Sequence, residues 1–386
     1  MSYHKFSSDY LFNGKSFLEK RHVLIADDQG MIVDVLAPSA APSDSIYLDG
    51  IVCPGFINAH CHIELSHLKD LIPANSGMSS FLIEVIKRRN LQEELSSSAM
   101  ADAIDQMERN GIVAVGDICN TPLSIPYKIK SRIRWYNFIE VAGVSDTLAQ
   151  SRMDDATFLQ NRFLREGFSS SIVPHAPYSV SDALFRLISG RRANEIITMH
   201  NQESEDEHQF FLSGTGDLLD LYEFLKTDIP SFANIKASGF ERSFDHLRGA
   251  GTLIFVHNVT TSPTDRRIAS GANVYWCICR NANQYISGKL APYDMLFSTP
   301  ESVLIGTDSL ASNRALDILS EIKTVLRSSH TKLADLLRAA TWNGAHALKF
   351  DSQLGSFEKG KTPGILFLSN TQNGAINEST MVQRLI

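Results

Sequence analysis

Eight short apolar segments, each followed by a longer stretch with helical spacing, constrain the fold of this chain more than any other feature. They are GFINAHCH, GIVAVGD, IRWYNFIEV, SSSIVPHA, EIITMH, TLIFVH, NVYWC and SVLIGTD. Such runs are typical of buried parallel strands, and intervening segments such as SSSAMADAIDQMERN repeat apolar residues at helical intervals. Eight strand-helix units predict an α/β fold in which residues 53–351 form a TIM-like (β/α)8 barrel.

Both ends of the chain carry a different pattern. Short β-rich runs separated by Asn-Gly, Gln-Gly and Asp-Gly turn signals fill the N-terminal segment, and GSFEKGKTPGILFLSN repeats that pattern near the C-terminus. We therefore predict a small antiparallel β-sandwich domain built jointly from residues 1–52 and 352–386. The predicted barrel lies between its two halves.

Composition and charge exclude several classes of function. The formal charge is −7 and the pI is near 5.9, so no basic field is available for nucleic acid or an anionic membrane surface. No apolar run approaches the roughly 20 residues that span a bilayer, and the first residues lack a signal-peptide pattern, so we expect a cytoplasmic protein. Five irregularly spaced cysteines favour reduced thiols over a disulfide framework. A small-molecule partner is the expectation that remains.

Residue types that bind metals follow the predicted strands, at the end where barrel enzymes carry their active sites. His60 and His62 are two residues apart, so in an extended strand both imidazoles project from one face. Alone, such a pair is more often incidental than metal-binding. His200 and Asp308 end two further predicted strands and complete a set of three imidazoles and one carboxylate. A divalent ion held by this set would lower the pKa of a bound water from 15.7 toward roughly 7, which predicts a hydrolytic centre.

Two more residues are candidates for proton transfer. Glu203 lies three residues after His200, where it could exchange protons with a substrate rather than bind the ion. His257, in LIFVHN, could orient the attacking hydroxide and stabilise a tetrahedral intermediate. The alternatives are a surface carboxylate for Glu203 and a hydrogen-bonded core imidazole for His257.

The motifs PGFINAHCH, PHAPYSVS, MHNQESE, VHN, GTDSLASN and GSFEKGKTPG, in this order, resemble those of the amidohydrolase superfamily. The resemblance is to its branch of cytosine deaminases, adenosine-analogue deaminases and chlorotriazine hydrolases, and it covers nearly the whole chain. It implies that the metal ligands are His60, His62, His200 and Asp308. It also implies that Asp308 takes a proton from the metal-bound water, and that Glu203, beside His257, delivers one to a ring nitrogen.

The resemblance bears on the metal as well. Binuclear members carry a lysine on the fourth strand, and SSSIVPHAP has none, so we expect one ion. Zinc is favoured by the imidazole-rich ligand set, and iron(II) stays open because ligand type alone does not separate the two.

The implied activity is that of a metal-dependent aminohydrolase. Such an enzyme replaces an exocyclic amino group on a purine-like nucleoside or related heterocycle by oxygen and releases ammonia. The segment PGFINAHCHIELSHLKD most resembles deaminases of 6-amino-6-deoxyfutalosine, on a route to menaquinone. A chlorohydrolase or cyclic amide hydrolase stays open because a metal hydroxide does not select the leaving group. A non-catalytic barrel serving as a binding subunit is the second alternative, and a homodimer is common in the family.

Six residues are candidate substrate contacts: His175, Glu64, Arg88, Glu140, Arg280 and Asn281. His175 matches a substrate-contacting histidine of the family, and Glu64 and Glu140 could bind hydroxyl groups. Arg88 or Arg89 could pair with a substrate carboxylate, with a solvated helix face as the alternative. Arg280 could equally be a clamp on its own loop.

Two further positions complete the expectations about the substrate pocket. Relatives that deaminate adenosylhomocysteine or methylthioadenosine place a ribose-binding glutamate where this chain has Asn90, so ribose recognition of that kind is not expected here. Phe210 and Phe211 could form an aromatic wall for a base, or simply belong to the core.

Overall fold

The computed structural model describes residues 2–89, 93–191 and 195–386, without the side chains of residues 93–95, so Asn90 lies outside the described residues. The strands are β1 (Tyr3–Ser8), β2 (Tyr10–Leu11), β3 (His22–Asp27), β4 (Ile32–Leu36), β5 (Ile46–Tyr47), β6 (Ile51–Pro54), β7 (Phe56–Cys61), β8 (Ile112–Cys119), β9 (Arg134–Val141), β10 (Ser169–Pro174), β11 (Ile196–Asn201), β12 (Thr252–His257), β13 (Val274–Ile278), β14 (Val303–Ile305), β15 (Ile365–Ser369) and β16 (Met381–Arg384).

The α-helices lie mainly between the strands β7 to β14 and after β14. They are α1 (Met78–Arg88), α2 (Glu93–Arg109), α3 (Ile125–Lys130), α4 (Ala149–Arg165), α5 (Asp182–Ser189), α6 (Glu205–Ser213), α7 (Leu218–Leu225), α8 (Gly239–Leu247), α9 (Pro263–Ile268), α10 (Arg280–Ile286), α11 (Tyr293–Leu296), α12 (Ile318–Ser328), α13 (Leu333–Arg338) and α14 (Gly344–Ala347). In the described part of the chain, none is long and apolar enough to cross a membrane.

Strands β7 to β14 correspond to the eight predicted strands. They form two parallel four-stranded sheets, in the orders β10-β9-β8-β7 and β11-β12-β13-β14. Every residue of β8 is buried, including Asp117, and its other residues are small or apolar, as expected of a buried parallel strand. Backbone bonds also connect the sheets: Asp308 N donates to His60 O at 3.1 Å, and His200 N donates to His175 O at 2.9 Å. The predicted α/β class with parallel strands is confirmed.

The remaining strands form two further sheets, β4-β3-β1-β5 and β16-β15-β6-β2. One apolar cluster joins them, with Phe6 and Leu24 from the first and Leu11, Val52 and Ile365 from the second. The sheets are mixed rather than antiparallel as predicted, because β5 pairs with β1, and β2 with β6, in parallel. Strand β6 stays paired with β15 as far as Pro54, beyond the predicted domain boundary at residue 52.

A second apolar cluster lies beside the ends of the parallel strands. Helices α1 and α7 contribute Met78, Phe81 and Leu221 to it, and they pack against each other. Phe210 and Phe211 are fully buried in the same cluster, so they belong to the core. All five cysteines are buried and free, as the reduced state requires.

Candidate active site

Three imidazoles and one carboxylate converge at the carboxyl ends of β7, β11 and β14. The Nε2 atom of His62 lies 3.1 Å from His60 Nε2 and 3.1 Å from His200 Nε2. Asp308 Oδ1 lies 3.5 Å from His60 Nε2 and 3.3 Å from His62 Nε2. Two nitrogens that each bind one zinc ion at about 2.0–2.1 Å, with an angle near 100°, are about 3.1 Å apart. The donor spacing therefore fits a single ion.

The protonation of the imidazoles agrees with that fit. Burial lowers the pKa of His60 to about 4 and that of His62 to about 3, so both rings are neutral. His200 donates from Nδ1 to the carbonyl of His175 at 2.9 Å, which leaves the lone pair of Nε2 for the centre.

Asp308 is fixed by the residues around it. Its Oδ2 accepts a hydrogen bond from Ser312 Oγ at 2.5 Å, so Oδ1 is the oxygen directed at the imidazoles. Burial disfavours its ionisation, but His60, His62 and His257 outweigh burial and hold the pKa of Asp308 well below its usual range. Asp308 is thus a carboxylate.

A second pair of residues stands next to this cluster. His257 Nε2 and Glu203 Oε1 are 2.9 Å apart, and both side chains are buried. Burial disfavours the charge on each, yet their mutual attraction prevails: it lowers the pKa of Glu203 to about 2 and raises that of His257 to about 9. The pair is therefore a buried carboxylate and imidazolium at neutral pH.

His257 also belongs to a group of metal-ligating side chains with His60, His200 and Asp308, whose donor atoms lie within 4.8 Å of one another. Both of its nitrogens are engaged elsewhere, however. Nδ1 donates to Asn283 Oδ1 at 2.8 Å, and Nε2 faces Glu203. This arrangement favours His257 as the partner of Glu203 rather than as a ligand.

The chain adopts left-handed backbone conformations where the strands end at the site. His257, Asn258 and Asp308 have φ values of 75°, 59° and 57°, and Gln202 has 49°. Non-glycine residues take this region rarely, and such strain is concentrated at functional sites. Glu207 supports one of these turns, since its carboxylate accepts from Gln202 N at 3.1 Å and from Glu203 N at 3.0 Å.

Two of the predicted substrate contacts lie beside His200. His175 bonds Ser179 Oγ through Nδ1 at 2.7 Å, and Glu140 accepts from Asn120 Nδ2 at 3.1 Å. Burial opposes the charge on Glu140, but His175, His200 and His62 lower its pKa to about 2. Donor atoms of Glu140, His175 and His200 also lie within 4.8 Å of one another.

A cavity of about 230 Å³ opens onto this polar cluster. His62, His200, Asp308, Glu203, His175, Glu140 and Tyr178 line its polar end. Helices α1 and α7 provide an apolar wall through Met78, Phe81, Val85 and Leu221, and Arg89 also lines the cavity. The cavity suits a ligand with one polar, reactive end and one apolar face.

The structure does not bring the other predicted contacts to this cavity. Glu64 instead accepts from Asn120 N at 3.0 Å and Thr121 N at 3.1 Å. Arg88 donates to Glu84 on its own helix at 2.8 Å, so of the arginine pair it is Arg89 that lines the cavity. Arg280 and Asn281 line a separate cavity of about 350 Å³.

Sequence reasoning missed several residues at the site. Asn283 bonds both Nδ1 and the carbonyl of His257, and Tyr178 donates to Glu203 Oε2 at 3.3 Å. Ser312 bonds Asp308. Tyr178 and Ser312 lie within motifs already singled out, and Asn283 follows the predicted contacts Arg280 and Asn281. A motif does not say which of its polar side chains points inward.

Residues 51–383 match the model of the amidohydrolase family. The chain is 28% identical over 314 residues to an adenosine deaminase of Helicobacter pylori, with 79% of this chain and 76% of the relative covered. It is 25% identical over 316 residues to an aminodeoxyfutalosine deaminase of Nitratiruptor sp., with 78% and 75% covered. The crystal structure of H. pylori aminofutalosine deaminase with methylthio-coformycin superposes with a TM-score of 0.77 at 23% identity, over 97% of this chain and 93% of that one.

Proposed function

The chain belongs to the amidohydrolase family and is a hydrolase of carbon-nitrogen bonds, and from that premise we propose that it deaminates a purine-like nucleoside. The reaction replaces an exocyclic amino group by oxygen and releases ammonia. One observation carries the proposal: the three Nε2 atoms and Asp308 Oδ1 converge beside the charged Glu203 and His257 pair, at the polar end of the cavity. The deaminase names of the relatives support it.

We propose His60, His62, His200 and Asp308 as the ligands of one divalent ion, with zinc favoured. When bound, such an ion would lower the pKa of a coordinated water from 15.7 to about 7 and so supply the nucleophile for the carbon that bears the amino group. The fourth parallel strand, β10, contains no lysine, which supports one ion rather than two.

The residues around the ligands would move the protons. Asp308 would take one proton of the attacking water and pass it to the departing amino group, which leaves as ammonia, while Ser312 holds its Oδ2. Glu203, a carboxylate at rest, would take the other proton of the water and carry it to a ring nitrogen, and Tyr178 holds its Oε2 while this happens. His257 is cationic beside Glu203 and stabilises the negative charge that develops during attack.

The substrate would extend from the polar end of the cavity along its apolar wall. His175 and Glu140 contact the heterocycle or its sugar, and Arg89, at the cavity, meets an anionic group of the substrate. This combination supports 6-amino-6-deoxyfutalosine, which joins an adenosine-like nucleoside to a benzoate.

The fold itself we interpret as a closed (β/α)8 barrel over residues 53–351, joined to a β-sandwich formed by residues 1–52 and 352–386. The backbone bonds between the two parallel sheets and the apolar cluster between the terminal sheets support this division. A homodimer is our expectation for the assembly in solution, and sedimentation would test it.

Ammonia release by zinc-loaded protein tests the activity, with adenosine, adenine, cytosine, a chlorotriazine and 6-amino-6-deoxyfutalosine as substrates. We expect ammonia from 6-amino-6-deoxyfutalosine at a higher kcat/KM than from adenosine. Chloride release without ammonia would make the protein a chlorohydrolase. Silence across the panel with one ion bound would overturn deamination, and a protein that retains no ion would be a non-catalytic binding subunit.

A further inference from the structure

A second cavity lies at the same end of the parallel strands as the candidate active site. Its volume is about 350 Å³, and it is formed by the loop before α1, by α10 and by the start of α12. The two cavities share no lining residue among those that the structure describes. Arg280 and Arg314 line it, together with neutral hydrogen-bonding side chains that include Asn75, Asn281 and Gln284.

The charged side chains that line this cavity, Arg280 and Arg314, are both cationic. Among the described residues, no carboxylate lines it and none lies within ion-pair distance of either guanidinium group. Arg280 Nε is inaccessible to solvent and has no hydrogen-bond acceptor. A buried donor without a partner is unfavourable, and in native proteins such donors commonly meet a ligand, a water or an ion.

Glu321, whose charge interacts with Arg280, forms no ion pair with either arginine. Both oxygens of Glu321 are already engaged, because Asn313 Nδ2 donates to one at 2.9 Å and Asn281 N donates to the other at 3.0 Å. Burial raises the pKa of Glu321 to about 8 despite those bonds and the attraction of Arg280. The two guanidinium groups therefore make the cavity cationic, in a protein of net charge −7.

We propose that this cavity is a second binding site, which takes a small tetrahedral oxyanion, and that phosphate or a phosphate-bearing metabolite is its ligand. Two guanidinium groups can each donate two parallel hydrogen bonds to such an anion, and the surrounding amide groups supply further donors. A phosphate can accept all of these bonds at once, whereas a carboxylate has only two oxygens to share between the arginines.

The position of the site links it to the catalytic residues. Helix α10 carries Asn283, which bonds His257, and the backbone of α10 is bonded to the segment that leads into α1. Asn75 N donates to Tyr285 O at 2.6 Å, and Gly77 N donates to Ile286 O at 3.1 Å. An anion held by Arg280 and Arg314 therefore orders the helix that positions His257 and the segment that precedes the apolar wall of the active-site cavity.

Calorimetric titration with inorganic phosphate, sulfate and acetate tests the proposal, on both zinc-loaded and metal-free protein. We expect one site for phosphate and for sulfate in both forms, with acetate weaker. Arg314→Gln should weaken phosphate binding at least tenfold, and Arg165→Gln, an exposed arginine on α4, should leave it unchanged. Because Arg314 is itself exposed, its replacement should not unfold the protein.

Hydrogen exchange in the same samples locates the anion. Phosphate should protect the amides of α10 and of residues 313–320, and this protection should vanish in Arg314→Gln. Three results would overturn the proposal: no phosphate binding in the millimolar range, binding that disappears when the metal is removed, or binding that Arg314→Gln does not weaken. None of these depends on which substrate the enzyme deaminates.

Discussion

The side-chain amide of Asn283 hydrogen-bonds both the imidazole ring and the backbone carbonyl of His257. Its Oδ1 accepts from His257 Nδ1 at 2.8 Å, and its Nδ2 donates to the carbonyl of the same residue at 3.2 Å. His257 has a φ of 75°, in the left-handed region that is uncommon for residues other than glycine. The amide therefore fixes both the ring and the backbone that present Nε2 to Glu203.

We expect Asn283→Ala to reduce kcat by about 10–100-fold, the range typical when an outer hydrogen-bond partner of an active-site histidine is removed. KM should change far less, because Asn283 does not line the active-site cavity. Steady-state kinetics over a range of pH would measure this, and the limb of the profile that reports His257 should shift. Lys289→Ala, an exposed change just after the same helix, is the control. Equal losses in the two variants would mean that α10 as a whole had been disturbed.

Neutral replacements of Glu203 and Asp308 should have different effects on turnover and on metal content. Glu203→Gln removes the carboxylate that carries a proton to the ring but no ligand, so we expect a fall in kcat of at least about 100-fold with the metal content unchanged. Asp308→Asn should lose both turnover and metal affinity. Metal analysis and kinetics on the same preparations would compare them, with the exposed Glu205→Gln as control. Wild-type turnover in Glu203→Gln would remove Glu203 from the mechanism.

Arg89 and Arg88 form a matched pair for testing recognition of the substrate. Arg89 lines the cavity, whereas Arg88 is bonded to Glu84 on the surface of α1. We expect Arg89→Gln to raise KM for a carboxylate-bearing nucleoside about tenfold or more and to leave KM for adenosine nearly unchanged, because only the former needs a charge partner. Arg88→Gln should alter neither value. An equal rise in KM for both substrates in Arg89→Gln would argue against a contact between Arg89 and the substrate carboxylate.

Lys128 and Asp117 form an ion pair at 2.6 Å with both side chains fully buried. Asp117 also accepts from Ile63 N at 2.9 Å, one residue after the proposed ligand His62. Lys128→Met would leave Asp117 charged and unpaired, which costs about 3–5 kcal/mol of unfolding free energy. Urea unfolding would measure this.

Two comparisons separate the ion pair from general effects on α3. Lys130→Met, an exposed change on the same helix, should have little effect on unfolding. Asp117→Asn combined with Lys128→Met should restore part of the loss, since no charge is then buried and the amide oxygen can still accept from Ile63 N. A double variant no more stable than Lys128→Met would show that the unpaired charge is not the cause.

The sequence predicted the proposed ligands because strand periodicity is strong there. His60, His200 and Asp308 each stand at the end of a buried apolar run, and parallel strands bring their carboxyl ends to one edge. Strand periodicity could not predict which of Arg88 and Arg89 faces the cavity. One residue along a helix turns the side chain by about 100°.

The same limit applies to the loop after β13. Arg280 and Asn281 were predicted as contacts, but Asn283, nearly one helical turn later, is the residue that bonds His257. Glu64 illustrates a different limit, because its carboxylate is turned toward Asn120 N and Thr121 N, which only tertiary packing determines. Short motifs thus located the site but not the side chains that support it.

Glu207 should make stability depend on pH in a direction unusual for a carboxyl group. Burial and the charge of Glu203 raise its pKa to about 8, against the two backbone N–H bonds that it accepts. Between pH 4.5, the ordinary pKa of a glutamate, and about pH 8, Glu207 is ionised in the unfolded chain but protonated in the folded chain. The free energy of unfolding therefore falls as pH rises, by at most about 1.4 kcal/mol per pH unit. In Glu207→Gln the unfolding free energy should decline less steeply between pH 5 and 8 than in the wild type or in Glu205→Gln. Equal slopes in all three proteins would show that Glu207 does not retain its proton in the folded chain.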